Sequence, residues 1–181
     1  MRCRAIPIPG LILAWLLMAG PGRAGDAQPT EYQIKAAVIF NFVKFVEWPP
    51  TAFANAASPI VIGILGDNPF EDELASTVRG KTINNRPLAV QEFRSASEAT
   101  NCHVLFISSS EKKRLPEILK GLQGTRALTV GETDGFTKAG GMINFFEEGK
   151  KLHFQINLDA ARSAGLKISS RLLSIAAEPT R

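Results

Sequence analysis

Short apolar runs alternate with helical segments along most of this chain, and this alternation limits the possible folds more than any other feature. Residues 59–66 (PIVIGILG), 103–108 (HVLFIS) and 127–131 (ALTVG) have strand length and continuous apolar character, which is typical of strands buried on both faces. Helical segments lie between them, at 68–80 and 110–124. Buried parallel strands joined by helices form an α/β domain with helices on both faces of the sheet.

The C-terminal part of the chain predicts an antiparallel addition to this sheet. Residues 141–146 (GMINFF) and 151–157 (KLHFQIN) both alternate in side-chain character, and two glutamates and a glycine separate them. We therefore predict one layered α/β/α domain over residues 28–181, with a mainly parallel sheet and a C-terminal antiparallel hairpin.

The N-terminus has the pattern of a secretory signal peptide. Two arginines precede the apolar stretch LILAWLLMAG, and small residues follow, with cleavage expected near Ala24 or Ala27. The apolar stretch is about half of the ~20 residues that a membrane helix needs. We therefore predict that residues 1–27 are a signal peptide and that the mature chain is periplasmic.

Charge and cysteine content narrow the function classes further. Cleavage after Ala27 removes three arginines and one aspartate, which lowers the net charge from +4 to +2. The remaining basic residues are dispersed, so no nucleic-acid partner is predicted. Cys3 leaves with the signal peptide, which excludes an internal disulfide for Cys102. A buried, inert thiol is favoured for Cys102 over an intermolecular bridge or a redox sensor.

Residues 131–141 (GETDGFTKAGG) form a glycine-rich loop after a predicted strand. A phosphate-binding P-loop needs Gly-Lys-Ser/Thr followed by a helix, and here Met142 and a strand follow instead, so we reject that motif. Two interpretations stay open. The loop could contact a ligand at the carboxyl end of the sheet, or its glycines could only supply positive φ angles for a turn.

The turn at 66–70 is the second place where a ligand could bind. Asp67 and Asn68 precede a predicted helix, although helix capping explains them at least as well. The candidate ligand-binding residues of the turn and the loop together are Asp67, Asn68, Asp134, Gly135, Lys138, Gly140 and Gly141.

The sequence contains few of the residue patterns that are typical of enzymes. The two histidines, His103 and His153, lie in apolar strand patterns without cysteine or carboxylate neighbours at metal-ligand spacing. No G-x-S-x-G elbow for a nucleophilic serine occurs. We therefore predict a protein that is not an enzyme and has no catalytic residues, no metal site and no cofactor.

The first predicted helix, residues 31–48, is apolar on nearly all sides. Such a helix is either enclosed within its own domain or presents an apolar face to another chain, and both remain open. One stripe and the opposite side are both apolar. The stripe contains Ile34, Val38, Phe42, Phe45 and Trp48, and the opposite side contains Ile39, Phe40, Val43 and Val46.

Several segments in one order resemble the YfiR family of small periplasmic regulatory proteins. The resemblance covers roughly residues 31–177. Its segments are IKAAVIFNFVKFVEWP, IVIGILGDNPF, CHVLFIS, LTVGETDGFTKAGGMINFFEEGKKLHFQIN and AGLKISSRLL.

The resemblance implies an α/β domain, often dimeric, that regulates a membrane signalling protein. The type member represses the periplasmic part of a diguanylate cyclase, and an outer-membrane-associated lipoprotein relieves it. Other relatives are expected to serve sensor kinases. The type member carries several cysteines in disulfides, whereas only Cys102 remains in this mature chain, so a disulfide switch within one chain is not expected here.

The prediction is therefore a non-catalytic regulator that binds the periplasmic domain of an inner-membrane signalling protein. Its contact surface is predicted at Phe40, Val43, Lys44 and Trp48, with Phe40→Glu and Val43→Glu expected to abolish binding without unfolding the protein. The alternative is a periplasmic small-ligand-binding protein with its pocket between the 66–70 turn and the 131–141 loop.

Overall fold

The computed structural model describes residues 28–177 of the 181-residue chain, so the predicted signal peptide lies outside the described residues. Five α-helices occur in this part of the chain, with short 3-10 turns between some of them. The helices are α1 Glu31–Phe45, α2 Glu73–Val78, α3 Leu115–Gly121, α4 Leu158–Ser163 and α5 Ser170–Leu173. The strands are β1 Val46–Glu47, β2 Ile60–Leu65, β3 Thr82–Ile83, β4 Arg86–Phe93, β5 Val104–Ile107, β6 Leu128–Gly131, β7 Ile143–Glu148, β8 Lys151–Ile156 and β9 Lys167–Ile168.

Seven of the strands form one sheet in the order β3-β4-β2-β5-β6-β7-β8. The five central strands, β4 to β7 in this order, are parallel, whereas β3 and β8 are antiparallel at the two edges. β7 and β8 form the C-terminal hairpin. The predicted mainly parallel α/β sheet with an antiparallel hairpin is thereby confirmed.

Helices cover both faces of the sheet. One core cluster combines α1 and α2 with side chains such as Ile62 and Phe106, and the other packs α3 against side chains such as Leu105 and Ile107. Adjacent residues of β5 belong to different clusters because successive side chains of a strand point to opposite faces. The sheet is therefore the middle layer of an α/β/α arrangement, and every parallel strand places its amino end on the same side.

α1 begins at a capping box and ends earlier than the sequence predicts. The Thr30 side chain accepts a hydrogen bond from the Gln33 amide, and the Gln33 side chain accepts one from the Thr30 amide. The predicted helix over 31–48 stops at Phe45, because Val46 and Glu47 turn into β1 and pair with β9. Two-residue strands have no periodicity of their own, which is why the sequence did not reveal them.

Two further helices also depart from their predicted bounds. The chain reaches α2 only at Glu73, since Glu71 has a positive φ of 50° that interrupts a helix starting at 68. The predicted helix 110–124 is a 3-10 turn, Ser109–Arg114, followed by α3, with Pro116 in the first turn of α3. Proline tolerates that position because its missing N–H would have no partner there anyway.

Candidate functional site

α1 buries one face and leaves another partly exposed. Its buried apolar residues are Ala36, Ile39, Phe42 and Val43, whereas Ile34 is 39% exposed. The predicted stripe is therefore divided, since Phe42 is in the core and Ile34 is exposed. Val43 is 2% exposed and belongs to the core, so the structure contradicts its predicted place on a contact surface.

Phe40 and Lys44 lie at the boundary between this core and solvent. Phe40 is partly buried, and the ammonium groups of Lys44 and Lys81 each lie 4.3 Å from the centre of its ring. Lys44 and Lys81 are exposed. Two cations thus converge on one aromatic ring, and neither forms an ion pair within residues 28–177.

Lys44 also lines a cleft between the C-terminal end of α1 and the β3–β4 hairpin, which we call the α1–hairpin cleft. Its volume is about 450 Å³. Asn84 and Asn85 both have positive φ angles in the two-residue turn of this hairpin, as a type I′ turn requires. The cleft is lined by Val43, Lys44, Val46, Glu47, Trp48, Phe53, Ile60, Ile83, Asn84 and Arg86.

Trp48 connects this cleft to the amino end of the sheet. Its indole N–H donates to the carbonyl oxygens of His103 and Arg126, at 3.1 Å in each case. The ring of His103 stacks on Phe53 with 4.5 Å between ring centres, and Trp48 meets it edge-on at 6.1 Å. Three of the four predicted contact residues, Phe40, Lys44 and Trp48, are therefore at or beside one cleft.

A second cleft lies on the other side of Phe53 and has a volume of about 550 Å³. Segment 51–54 and the residues that precede β5 and β6 line it, including Cys102, His103 and Arg126. Cys102 is free and buried, and its thiol donates to the Ala99 carbonyl. Burial raises the pKa of Cys102 to about 12, so the thiol stays protonated and unreactive at neutral pH.

The predicted ligand residues of the 66–70 turn serve the fold. The Asn68 side chain accepts a hydrogen bond from the Phe70 amide and donates to Glu92 at 2.7 Å. The Asp67 amide donates to the Ser110 hydroxyl at 3.0 Å, while the Asp67 residue itself is exposed. The polar groups of Asn68 thus hold the turn and bind β4, but Asn68 does not cap a helix as interpreted, because α2 begins at Glu73 with Asp72 at its N-cap.

The glycine-rich loop closes over its own phenylalanine. Phe136 is fully buried between Gly131 and Gly141, and a Cβ atom added to either glycine would lie within 2.5 Å of the Phe136 ring. These glycines are needed because the ring approaches the backbone, which leaves no room for a side chain. Asp134, Gly135 and Lys138 are exposed on the loop, and Gly140 lines a separate cleft of about 320 Å³ beside Met142.

A buried ion pair at the carboxyl end of β6 was not predicted. Lys35 on α1 donates to Glu132 at 2.6 Å, with the two side chains 4% and 9% exposed, and it also pairs with Glu31. The Tyr32 hydroxyl donates to Glu132 as well. Burial lowers the pKa of Lys35, but the hydrogen bonds to Glu132 and Glu31 outweigh this effect and hold the pKa above its ordinary value.

The sequence feature that pointed to the Lys35–Glu132 ion pair was a lysine inside an apolar helix. The sequence showed Lys35 as a break in the apolar surface of α1, but it did not show which carboxylate would meet it. Across residues 28–177 no group of three or more histidine, cysteine or acidic side chains is arranged to hold a metal ion. No helix in that range combines the length and the apolar character that crossing a bilayer requires.

A match to a known protein family covers nearly the same residues as this α/β fold. A family model described as YfiR/HmsC-like matches residues 32–177. The chain belongs to the YfiR/HmsC-like family. This confirms the resemblance found in the sequence, and it places the chain among periplasmic regulatory proteins.

Solved structures share the fold of this YfiR/HmsC-like protein at low sequence identity. A conserved domain protein from Vibrio cholerae O1 biovar El Tor has a TM-score of 0.55 at 11% identity, with 83% of this chain and 60% of that chain covered. The ABC domain in complex with L-Trp from Streptococcus pneumoniae has a TM-score of 0.50 at 11% identity, with 81% and 59% covered. This chain therefore spans about three fifths of either neighbour, and the likeness concerns the α/β fold alone.

Proposed function

We propose that this protein is a periplasmic, non-catalytic regulator that binds and restrains the periplasmic sensor part of an inner-membrane signalling protein, either a diguanylate cyclase or a sensor kinase. Its exported form would begin after residue 27. The observation that carries this proposal is that Lys44 and Trp48 line the α1–hairpin cleft, and that Phe40 contacts Lys44 beside it. Family membership supports the regulatory role.

The charge of the cleft indicates the chemistry of the partner surface. Lys44, Lys81 and Arg86 contribute cations around the half-buried rings of Phe40 and Phe53, and Glu47 is the one acidic residue that lines the cleft. Aromatic and cationic side chains of this kind favour a partner segment that carries carboxylates beside an apolar anchor. We therefore infer an acidic partner segment.

Restraint would follow from preferential binding to the inactive conformation of the sensor. A ligand shifts a two-state equilibrium only by the difference in its affinity for the two states. Shifting a sensor from almost fully active to almost fully inactive needs about 5 kcal/mol of such difference. Relief by an outer-membrane-associated lipoprotein and homodimerisation remain part of the proposal as expectations from the family.

The test compares substitutions on the cleft with one in the core. Tagged protein is mixed with detergent-solubilised inner membranes, and the retained proteins are identified by mass spectrometry. We expect the wild type to retain a membrane protein with a periplasmic sensor domain. We expect the Phe40→Glu variant to retain at least 10-fold less of that membrane protein, while its circular dichroism spectrum stays native.

Two control variants make the result specific. Lys112→Glu reverses an exposed charge on the opposite face of the sheet and should retain the partner like the wild type. Val43→Glu should unfold the protein, because the substitution places a charge among core side chains. Equal retention by the wild type and Phe40→Glu would contradict the proposed surface, and the absence of any sensor protein would contradict the proposed function.

The alternative function is binding of a small periplasmic ligand. The observation in its favour is the cleft of about 550 Å³, which lies at the amino end of the sheet and not between the 66–70 turn and the 131–141 loop, where the pocket was predicted. The volume of this cleft is in the range of small-molecule sites. A thermal-shift screen with amino acids, nucleotides and vitamins tests this alternative, since a ligand that binds only the folded state must raise the melting temperature. A concentration-dependent rise with any of these compounds would support it.

A further inference from the structure

His103 joins the two clefts at the amino end of the sheet. It precedes β5 and is 5% exposed, and it contacts both Trp48 and Phe53, which line the α1–hairpin cleft. It also lines the second cleft. A change in the state of this one ring would therefore act directly on a wall of the proposed partner site.

The hydrogen bonds of His103 require a neutral ring. Its Nδ1 accepts a hydrogen bond from the Val61 backbone N–H at 3.1 Å, so the proton of the neutral ring is on Nε2. Nε2 is buried and makes no well-aligned hydrogen bond among the described residues, although the Ala52 carbonyl lies near the ring. Protonation of Nδ1 would convert this acceptor into a donor that faces the Val61 N–H, and it would leave two buried N–H groups unpaired.

The charged groups around the ring also oppose a positive charge on it. The Arg86 guanidinium lies 3.8 Å from the centre of the Phe53 ring, so Arg86 and His103 occupy opposite faces of Phe53. Arg126 lines the same cleft as His103, and Cys102 next to it is a neutral thiol. Burial lowers the pKa of His103, the Ala52 carbonyl raises it by less, and Arg86 lowers it further.

The segment that covers the ring is short and held by few contacts. Residues 50–52 form a 3-10 turn, and residues 54–57 are exposed. Arg86 fastens the segment by donating to the carbonyls of Asn55 and Ser58, at 2.7 and 3.0 Å. The Phe53 ring stacks on His103 and also packs against the edge of the core. A segment of this kind can open locally without unfolding the domain.

We propose that His103 is an acid-sensitive latch, whose protonation releases segment 49–58 and thereby removes Phe53 from the wall of the α1–hairpin cleft. The pH-dependent opening of the segment is a property of the fold alone, whereas its effect on partner binding rests on the proposed function. Acid would then weaken partner binding and relieve restraint of the sensor.

The direction of the pH effect follows because the closed conformation of the segment is compatible with a neutral His103 ring and not with a protonated one. The closed state is fully stabilised above the ordinary histidine pKa of about 6.5, and this stabilisation is lost as the pH falls below that value toward the lower pKa of the closed state. If protonation is confined to the open form, opening increases by about 10- to 30-fold between pH 7.5 and pH 5.0.

Amide hydrogen exchange on the purified protein measures this opening. After correction for the intrinsic pH dependence of exchange, we expect the amides of Ala52, Phe53 and Val61 to exchange about 10- to 30-fold faster at pH 5.0 than at pH 7.5. The amides of Ile62 to Leu65, in the middle of the sheet, should keep their protection. Unchanged exchange at Val61, or an equal loss of protection across β2, would overturn the latch.

A matched pair of histidine variants assigns the effect to one ring. His103→Gln keeps an acceptor for the Val61 N–H but cannot titrate in this range, so it should abolish the pH dependence. His153 lies on the edge strand β8 and stacks on Phe146. His153→Gln should therefore leave the pH dependence unchanged. Persistent pH dependence in His103→Gln would contradict the proposal.

A titration of the wild type decides the matter if His103→Gln does not fold. Nitrogen chemical shifts of the His103 ring should show the Nε2–H tautomer at pH 7.5 and a titration midpoint below 6.5. A midpoint above 6.5, or the Nδ1–H tautomer, would overturn the latch.

Partner retention at the two pH values separates the latch from the proposed function. Retention that falls at least 10-fold from pH 7.5 to pH 5.0 in the wild type, but not in His103→Gln, supports both. If the segment opens but retention is equal at both pH values, the latch does not control the cleft, and the regulator function is unaffected. Opening without retention of any sensor protein contradicts the regulator function and leaves the latch as a property of the fold.

Discussion

The two ends of the parallel sheet differ in how the space beside them is filled. At the carboxyl end, Lys35 is enclosed by Glu132 and Glu31, and the glycine-rich loop is filled by Phe136. At the amino end, His103 has a buried nitrogen that makes no well-aligned hydrogen bond within the described residues, and two clefts of about 450 and 550 Å³ open beside it.

This difference reverses the usual expectation for an α/β sheet. Open parallel sheets most often bind ligands at the carboxyl ends of their strands, which is why the sequence drew attention to the 66–70 turn and the 131–141 loop. In this protein the ion pair, the loop and the turn consolidate that end. The features on which the proposed partner site rests, namely cations over half-buried rings and a cleft beside a short covering segment, lie at the amino end. Substitutions should therefore affect stability at one end and recognition at the other.

Among the variants that compare the two ends, Lys35→Met should have the largest effect on stability. This variant leaves Glu132 buried without its cation, and breaking a buried pair in this way costs about 3–5 kcal/mol. Urea denaturation followed by circular dichroism measures the loss. The double variant Lys35→Met/Glu132→Gln should recover part of it, because it removes the uncompensated charge. A loss below about 1 kcal/mol in the single variant would show that the pair is not structural, and the contrast between the two ends would fail.

Gly141→Ala tests the other part of the carboxyl end. The added Cβ would lie 2.1 Å from the Phe136 ring, so the ring or the loop must move, at a cost of about 1–3 kcal/mol. Gly121→Ala is the matched control, since its Cβ would have its nearest neighbour at 3.8 Å and alanine favours the helix. Denaturation midpoints that fall for Gly141→Ala and not for Gly121→Ala are the expected result. Equal midpoints would mean that the loop adapts and is free for another role.

Trp48→Phe removes the indole N–H that ties the amino end together. The His103 carbonyl keeps its hydrogen bond from the Leu128 amide, so the main loss is at the Arg126 carbonyl and should cost about 1 kcal/mol. Hydrogen exchange should accelerate around residues 49–58 and remain unchanged at Glu132. Faster exchange at both ends would show that the two ends are coupled through α1.

Lys81→Met should have the smallest effect on stability. Lys81 is exposed, and Lys44 still lies over the Phe40 ring after the substitution, so the free energy of unfolding should change by less than about 0.5 kcal/mol. Partner retention should nevertheless decrease, most clearly at low salt, because the substitution removes a cation from the proposed contact surface. Unchanged retention at every salt concentration would restrict the surface to Phe40, Lys44 and Trp48.

Particular elements show how far the sequence could be interpreted. The segment PIVIGILG, predicted as a buried strand over residues 59–66, contains β2, and the segment ALTVG, predicted over residues 127–131, contains β6. By contrast, the β1–β9 pair joins residues more than 100 positions apart through two-residue strands. Nothing in two residues distinguishes such a strand from a loop.

The candidate site was predictable only in part for the same reason. Phe40, Lys44 and Trp48 were selected from an apolar helix, and in the structure Lys44 and Trp48 line one cleft with Phe40 beside it. Val43 was selected on the same grounds but is 2% exposed and belongs to the core. His103 was noted as a histidine in an apolar strand, but its pairing with Val61 and its stacking on Phe53 depend on contacts across 42 and 50 positions of sequence.

Local pattern was therefore sufficient for the fold class, most of the strands of the sheet and the C-terminal hairpin, because hydrophobic period and turn residues act over a few positions. The tertiary structure alone decided which side of α1 is buried, where Lys35 finds its carboxylates and which nitrogen of His103 accepts a hydrogen bond. A helix that is apolar on most sides has no preferred face of its own, so the sheet against which it packs selects that face. A buried charge or imidazole likewise takes its state from neighbours that only folding brings within reach.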